Sequence, residues 1–264
     1  MATITAGTFF LNALALEYPI IEWTSTVLSF CDEVILIDMG SKDGTRRALR
    51  KKFGKRIRVI SEPWRFEKDY HEGIPRNVIL KNASCDWVFL TDCDEIVHED
   101  DYNRVRSLSL QKETKIFRFP ILTFYGSCYL TYHAEKRERF ALIQRDPNFN
   151  FGPLHNKGSN AADVLKYGDV AARKVIKYKE VNINLYDYGR CRSPKARMRS
   201  VDFFVKQHQA RSGQAPIGTP TSIKDYILPY PDFESSIFIK WDKGHPKIVQ
   251  DWVQRHWKSH GWEA

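Results

Sequence analysis

An α/β architecture, with a mostly parallel Rossmann-like sheet flanked by helices, is encoded in this sequence of 264 residues on three grounds. Strand-like and helix-like segments alternate through the first 91 residues, the pattern that folds into a parallel sheet with helices on both sides. EVILID (33–38) is almost unbroken in its apolar character, as a strand covered on both faces must be. Carboxylates gather where strands end, at Asp38 and at Asp92, Asp94 and Glu95, and ligands of open α/β sheets collect beyond the carboxyl ends of the strands.

The elements follow in order. TITAGTFF (3–10) reads as the first strand, and IIEWTSTVLSF (20–30) has apolar residues at helical spacing. After EVILID, the oxygens of Ser41, Asp43 and Thr45 can cap the basic segment RRALRKKF (46–53). RIRVIS (56–61) is a third strand, IPRNVILKNA (74–83) a helix with Pro75 in its first turn, and DWVFLT (86–91) a fourth strand. Beyond residue 112 the character changes. KIFRFPILTFYGSCYLTYH (115–133) and RERFALIQR (137–145) are long, aromatic and rich in β-formers. FNFGPLHNKG (149–158) reads as a Gly/Pro loop and VNINLYDYG (181–189) as a strand. Ser193-Pro194 opens a helix running to about residue 211. RSGQAPIGTPTS (211–222) is a turn-rich linker, and HPKIVQDWVQRHW (245–257) is a closing helix. The expected division is a core over 1–160 and a basic extension over 161–264 packed on it.

At 42% hydrophobic and 28% charged, the chain is globular rather than disordered. No apolar run approaches the ~18 residues of a membrane span, and the N-terminus lacks a basic, cleavable leader. Five cysteines without CxxC spacing argue against a structural zinc site or a disulfide framework and suit the reducing cytoplasm. Net charge is +9, and from residue 165 onward 18 Lys and Arg face 10 Asp and Glu, so the excess lies in the C-terminal part. That asymmetry favours an anionic partner over a neutral one.

Asp92, Asp94 and Glu95 stand within four positions, at the mouth of a buried strand. Like charges that close repel, and at least one takes up a proton unless a positive charge sits among them. A hard divalent cation, Mg²⁺ or Mn²⁺, answers that need.

VILIDMGSKDGT (34–45) resembles the strand–turn signature of family 2 glycosyltransferases of the GT-A fold. EPWRF (62–66), IPRN (74–77) and DWVFLTDCDEIV (86–97) follow in that family's order, and RERFALIQRDPNFNFGPLHNKG (137–158) is similar to a segment of its lipopolysaccharide-core-type subgroup with an Asp-x-Asp-Glu motif. The resemblance implies a nucleotide-diphosphate sugar donor, a UDP-sugar first, held with Mn²⁺ or Mg²⁺. It implies Asp94 as first metal ligand, Asp92 on the ribose or on the metal through water, and His155 completing the metal shell. It implies Asp38 on a uracil-like base, Thr8, Gly40 and Ser41 at the nucleotide, and Arg76 on the diphosphate or bracing the aspartates. Asn156 stands where the subgroup has Glu, and a neutral amide cannot deprotonate an acceptor. Glu95, Glu138 and Asp187 are then the candidate bases for an inverting transfer, and a retaining course, which needs no such base, stays open.

RKVIKYK (173–179) and RCRSPKARMR (190–199), with Tyr178, Tyr186, Tyr188 and Phe203 nearby, interleave cations and aromatics. Such segments suit a nucleic acid, here hydroxymethylated or already glycosylated DNA, slightly ahead of a cell-envelope glycan. Two other classes compete: a phosphoryl-transfer receiver or phosphatase, in which the PWRF and RN elements would be idle, and an inactive nucleotide-sugar- or DNA-binding module.

Overall fold

The structure, a computed structural model, describes residues 2–66, 71–133, 137–152, 164–212 and 238–259. The chain begins β1 (Ile4–Phe10), α1 (Ile20–Val27), β2 (Glu33–Asp38), α2 (Thr45–Phe53), β3 (Arg58–Ser61), α3 (Gly73–Asn82) and β4 (Trp87–Leu90). It continues β5 (Glu95–Val97), α4 (Tyr102–Leu108), β6 (Ile116–Tyr125), β7 (Ser127–Tyr132), β8 (Glu138–Gln144) and β9 (Phe149–Gly152). Then come β10 (Val164–Tyr167), β11 (Val170–Ala171), α5 (Ala172–Val175), β12 (Tyr178–Glu180), β13 (Leu185–Arg190), α6 (Pro194–Ser212), β14 (Phe238–Lys240) and α7 (Gln250–Ser259).

The main sheet runs β14-β7-β6-β8-β4-β1-β2-β3. Its β4-β1-β2-β3 half is wholly parallel, which is why its strands read as apolar runs. β8 turns antiparallel against β4 and β6, while β12 and β13 return parallel to β6. Strands from beyond residue 161 thus extend the sheet begun by the first half.

Alternation along β2 divides the core. Val34 and Leu36 enter one apolar cluster with Trp23, Leu49 and Phe89, while Ile35 and Ile37 enter a second with Ile79 and Val88. Helices α1 and α2 therefore cover one face and α3 the other. Gly7 is required where α3 crosses β1, since a Cβ there would lie 2.3 Å from Ile79 Cγ2. Trp23 donates to Thr91 Oγ1 at 2.8 Å and pins the end of β4 just before the acidic turn. No helix among the described residues is long and apolar enough to cross a membrane.

Several segments differ from the sequence reading. The long β segment 115–133 is a hairpin broken at Gly126, whose φ of +71° suits the turn. The predicted loop at 149–158 begins as strand β9, paired with β10. The strand expected at 181–189 is displaced to Leu185–Arg190 by its pairing with β5 and β6. The closing helix starts at Gln250, after a tight turn over Lys247–Val249 that Pro246 precedes. Most of the linker at 211–222 lies outside the described residues.

Candidate active site

The acidic turn is built by its own backbone. Glu95 N–H donates to Asp92 O, and Asp92 N–H donates to Glu95 Oε2, each at 3.0 Å. Beyond it β5 pairs antiparallel with β13, which sets Asp187 opposite Glu95. Tyr188 N–H donates to Asp94 O at 3.0 Å and holds the two strands' ends together. A fourth carboxylate thereby joins the three that are adjacent in sequence.

Three arginines meet these acids. Asp92 accepts from Arg76 at 2.9 Å and also from Arg139. Arg139 grips Glu95 as well, with Nε 2.7 Å and Nη2 2.8 Å from its two oxygens. Arg137 pairs with Asp187 and donates to Thr123 Oγ1 at 2.7 Å. Asp94 is the exception: among the described residues its carboxylate accepts no hydrogen bond and no cation lies within 4 Å of it. Gly189 sits hard against it, because a Cβ there would lie 2.3 Å from Asp94 Oδ2 and 3.1 Å from Asp187 Oδ1.

The electrostatics follow this pairing. Burial pushes the Asp94 carboxyl well up, and the charges of Asp187, Asp92 and Glu95 push the same way. Burial also works to raise Asp92, but Arg139 and Arg76 outweigh it and hold that carboxyl below its usual range. Glu95 is raised to about 7, burial outweighing Arg139.

The acids line one side of a cleft of about 900 Å³, a size that holds a nucleotide-linked ligand. Phe9, Phe10, Asn12 and Met39 border it at the ends of β1 and β2, Trp64 follows β3, and Arg190, Arg192, Arg199 and Phe203 close it from β13 and α6. The entry to α6 is tied to the loop after β1: Ser193 donates to Glu17 through both N–H and hydroxyl at 2.8 Å. Asn12 and Glu17, with φ of 48° and 58°, hold that loop in a conformation rare for such residues.

The sequence-predicted residues divide into three groups. Asp92, Asp94, Glu95 and Asp187 come together on the cleft, and Arg76 braces Asp92 from behind while stacking on Phe9 and Phe151. Glu138 does not join them: strand alternation turns it away from its neighbour Arg139, and it pairs with Arg118 at 3.0 Å. Asp38 and the acidic turn do not share the crevice as expected, for Met39 reaches its wall while Asp38 is only 2% exposed. Asp38 Oδ1 accepts from Ser41 N–H at 2.8 Å and Gly40 N–H at 3.2 Å, closing the turn after β2, where Gly40 has φ of +97°. Ser41 Oγ accepts from Asn12 N–H at 2.9 Å. Thr8 is buried in β1 with no partner for its hydroxyl among the described residues. His155 and Asn156 lie outside the described residues.

The sequence reading missed Arg137 and Arg139 as partners of the acids. Their i, i+2 spacing on a strand segment was the available signal, since it puts both on one face. Arg192 gave no such signal within its basic run.

A divalent cation fits this donor set in one respect: Asp94 on the cleft wall, unpaired among the described residues beside three arginine-paired acids, presents the hard oxygen such ions take. Asp92 is less free, because both its oxygens are engaged by arginine.

Comparison with known proteins places the chain. The family model "Glycosyl transferase family 2" matches residues 25–168, more than half of the chain. Among solved structures, residues 1–349 of S. aureus TarS superpose with a TM-score of 0.50 at 13% identity, over 84% of this chain and 76% of that one. The complex of the same fragment with UDP-GlcNAc gives 0.39 at 19% identity, over 47% and 36%. The mannosyltransferase PcManGT from Pyrobaculum calidifontis, in complex with GDP-Man and Mn²⁺, gives 0.46 at 17% identity, over 81% and 66%. The chain thus spans about a third of the UDP-GlcNAc complex as aligned, just under two thirds of PcManGT and about three quarters of the TarS fragment in the other match. No curated protein matches it. The parallel half-sheet, the turn after β2 and the acidic turn after β4 agree with the family match: this chain belongs to glycosyl transferase family 2.

Proposed function

We propose that the protein transfers a sugar from a nucleotide-diphosphate donor, a UDP-sugar first, to a hydroxyl of an anionic acceptor. Membership of family 2 supports the transfer, and the cleft supports the donor by its size and by its apolar rim of Phe10, Met39 and Trp64. The single observation that carries the site is Asp94, the one of four converging carboxylates that is unpaired among the described residues. A Mg²⁺ or Mn²⁺ held by Asp94 would offset the charge that grows on the departing diphosphate. Asp92 takes the ribose or reaches the cation through water, and His155 is the remaining ligand of this reading.

Transfer with inversion needs a base for the acceptor hydroxyl. Asp187 is the best placed of the three candidates. It lines the cleft, and Arg137 pairs with it and fixes its position, whereas Glu95 is 2% exposed under Arg139 and Glu138 faces away. Residues 1–160 carry donor and cation in this reading, and 161–264 form the acceptor side.

Geometry favours a phosphorylated envelope-type glycan over DNA as acceptor. Arg192 and Arg197 are each 6% exposed, so half of the arginines in the 190–199 segment are withdrawn from any broad polyanion. DNA keeps the support of the exposed Arg173, Lys174 and Lys179.

The test is a donor screen with Mn²⁺, measuring nucleotide release from UDP-, GDP- and ADP-sugars, with and without hydroxymethylated DNA or a phosphorylated glycan. One donor should be cleaved, and Asp94→Asn should reduce its turnover by roughly 100-fold or more. Full activity in that variant would remove the cation from Asp94, and cleavage of no donor would sink the transferase reading.

A further inference from the structure

Arg192 is an oddity among the buried charges. It is 6% exposed, yet every hydrogen-bond acceptor it meets among the described residues is neutral. Nε donates to Gly189 O at 2.7 Å, and Nη1 donates to Leu16 O and to Ser200 Oγ at 2.9 Å each. Its guanidinium carbon lies 3.8 Å from the centre of the Tyr18 ring. No carboxylate stands within 4 Å of it among the described residues. The lip arginines Arg137 and Arg139, by contrast, each hold a carboxylate.

Arg199, exposed on α6, likewise has a neutral acceptor on the loop after β1. It donates to Ala15 O at 3.1 Å and makes no ion pair among the described residues. Both arginines border the cleft that also carries Asp94, and Arg192 is one of the charges acting on that carboxylate. A guanidinium buried without a counter-ion is costly, and one fixed by three neutral acceptors is also prevented from swinging out to water. A cation so mounted, facing a cavity, is built to receive an anion from outside.

We propose that Arg192, seconded by Arg199, seats the diphosphate of the nucleotide-sugar donor. The inference rests on the donor reading above and adds a residue and a role to it. The position fits that ligand rather than an acceptor phosphate. Leu16 and Ala15, whose carbonyls hold the two guanidiniums, belong to the loop after β1, on the nucleotide side, where Phe10 and Met39 line the same cleft. In the reaction, the bond between the sugar C1 and the β-phosphate oxygen breaks, and its electron pair leaves on that oxygen. The acceptor oxygen bonds to C1, and its proton passes to the carboxylate base. Charge therefore accumulates on the diphosphate, and a guanidinium already in place stabilises it without reorganising. The basic C-terminal extension then serves the donor as well as the acceptor.

The experiment compares affinities by calorimetry on the full chain, using UDP, GDP and ADP, each beside its own nucleoside, in Mn²⁺ and in EDTA. The wild-type protein should prefer one diphosphate to its nucleoside, and part of that preference should survive EDTA, since an arginine needs no metal. Arg192→Ala should cut the preference at least tenfold while nucleoside affinity stays level, which also certifies the fold. Arg192→Lys should recover only part of it, because an ammonium lacks the planar fork. If Arg192→Ala fails to fold, Arg199→Ala carries the test, with a loss of several-fold expected. An unchanged preference in the folded variants overturns this inference and leaves the donor reading intact. A wild-type protein that binds no diphosphate overturns both.

Discussion

The two walls of the cleft use arginine in opposite ways. On the acidic lip, Arg76, Arg137 and Arg139 are spent on Asp92, Asp187 and Glu95. Where β13 passes into α6, Arg192 and Arg199 are held by backbone carbonyls and a serine, with no acid among their described partners. The difference teaches which charges stabilise the fold and which await a ligand. Among the described residues, the lip balances itself except at Asp94, and Arg192 and Arg199 make no ion pair. An acid and two cations that lack ion-pair partners among the described residues, bordering one cleft, are complementary to a metal-bound diphosphate.

That comparison can be broken by removing one arginine from each wall. Arg139→Met should be the more damaging to stability, by about 3–5 kcal/mol, because it leaves the buried Glu95 without its arginine, while Asp92 keeps Arg76. Denaturant titration reads this directly. Arg199→Ala should cost less than about 1 kcal/mol in the same titration, since it removes one hydrogen bond from an exposed side chain. Equal losses from the two would mean that both walls are structural and that the asymmetry has no functional content.

Much of this was legible before the structure. EVILID reads as a doubly covered strand, and the acids at 92–95 read as the end of one. What was not legible depended on partners far away in the chain. That Asp38 closes a turn depends on Ser41 and Gly40 folding their N–H groups back onto its Oδ1. Asp187 joins the lip only because β13 pairs with β5 in one register, and a shift by one residue would turn it away. Arg192 is held by residues 16, 189 and 200, a set that no local pattern announces. Glu138 is different, for the period of its own strand already separated it from Arg137 and Arg139.

Glu138 supplies the smallest effect expected. Glu138→Gln should change transfer by less than about twofold, whereas Asp187→Asn should lower kcat by roughly 100-fold or more, as loss of a general base does. Rates with a fixed donor and acceptor separate the two variants, and a reversal of their order would move the base off the cleft wall assigned to it.

The most direct measurement is anomalous scattering from crystals soaked with UDP and Mn²⁺. The account predicts a manganese peak at the Asp94 carboxylate, with the diphosphate lying between that ion and the Arg192 guanidinium. Manganese bound elsewhere, or a diphosphate with Arg192 out of reach, would contradict it.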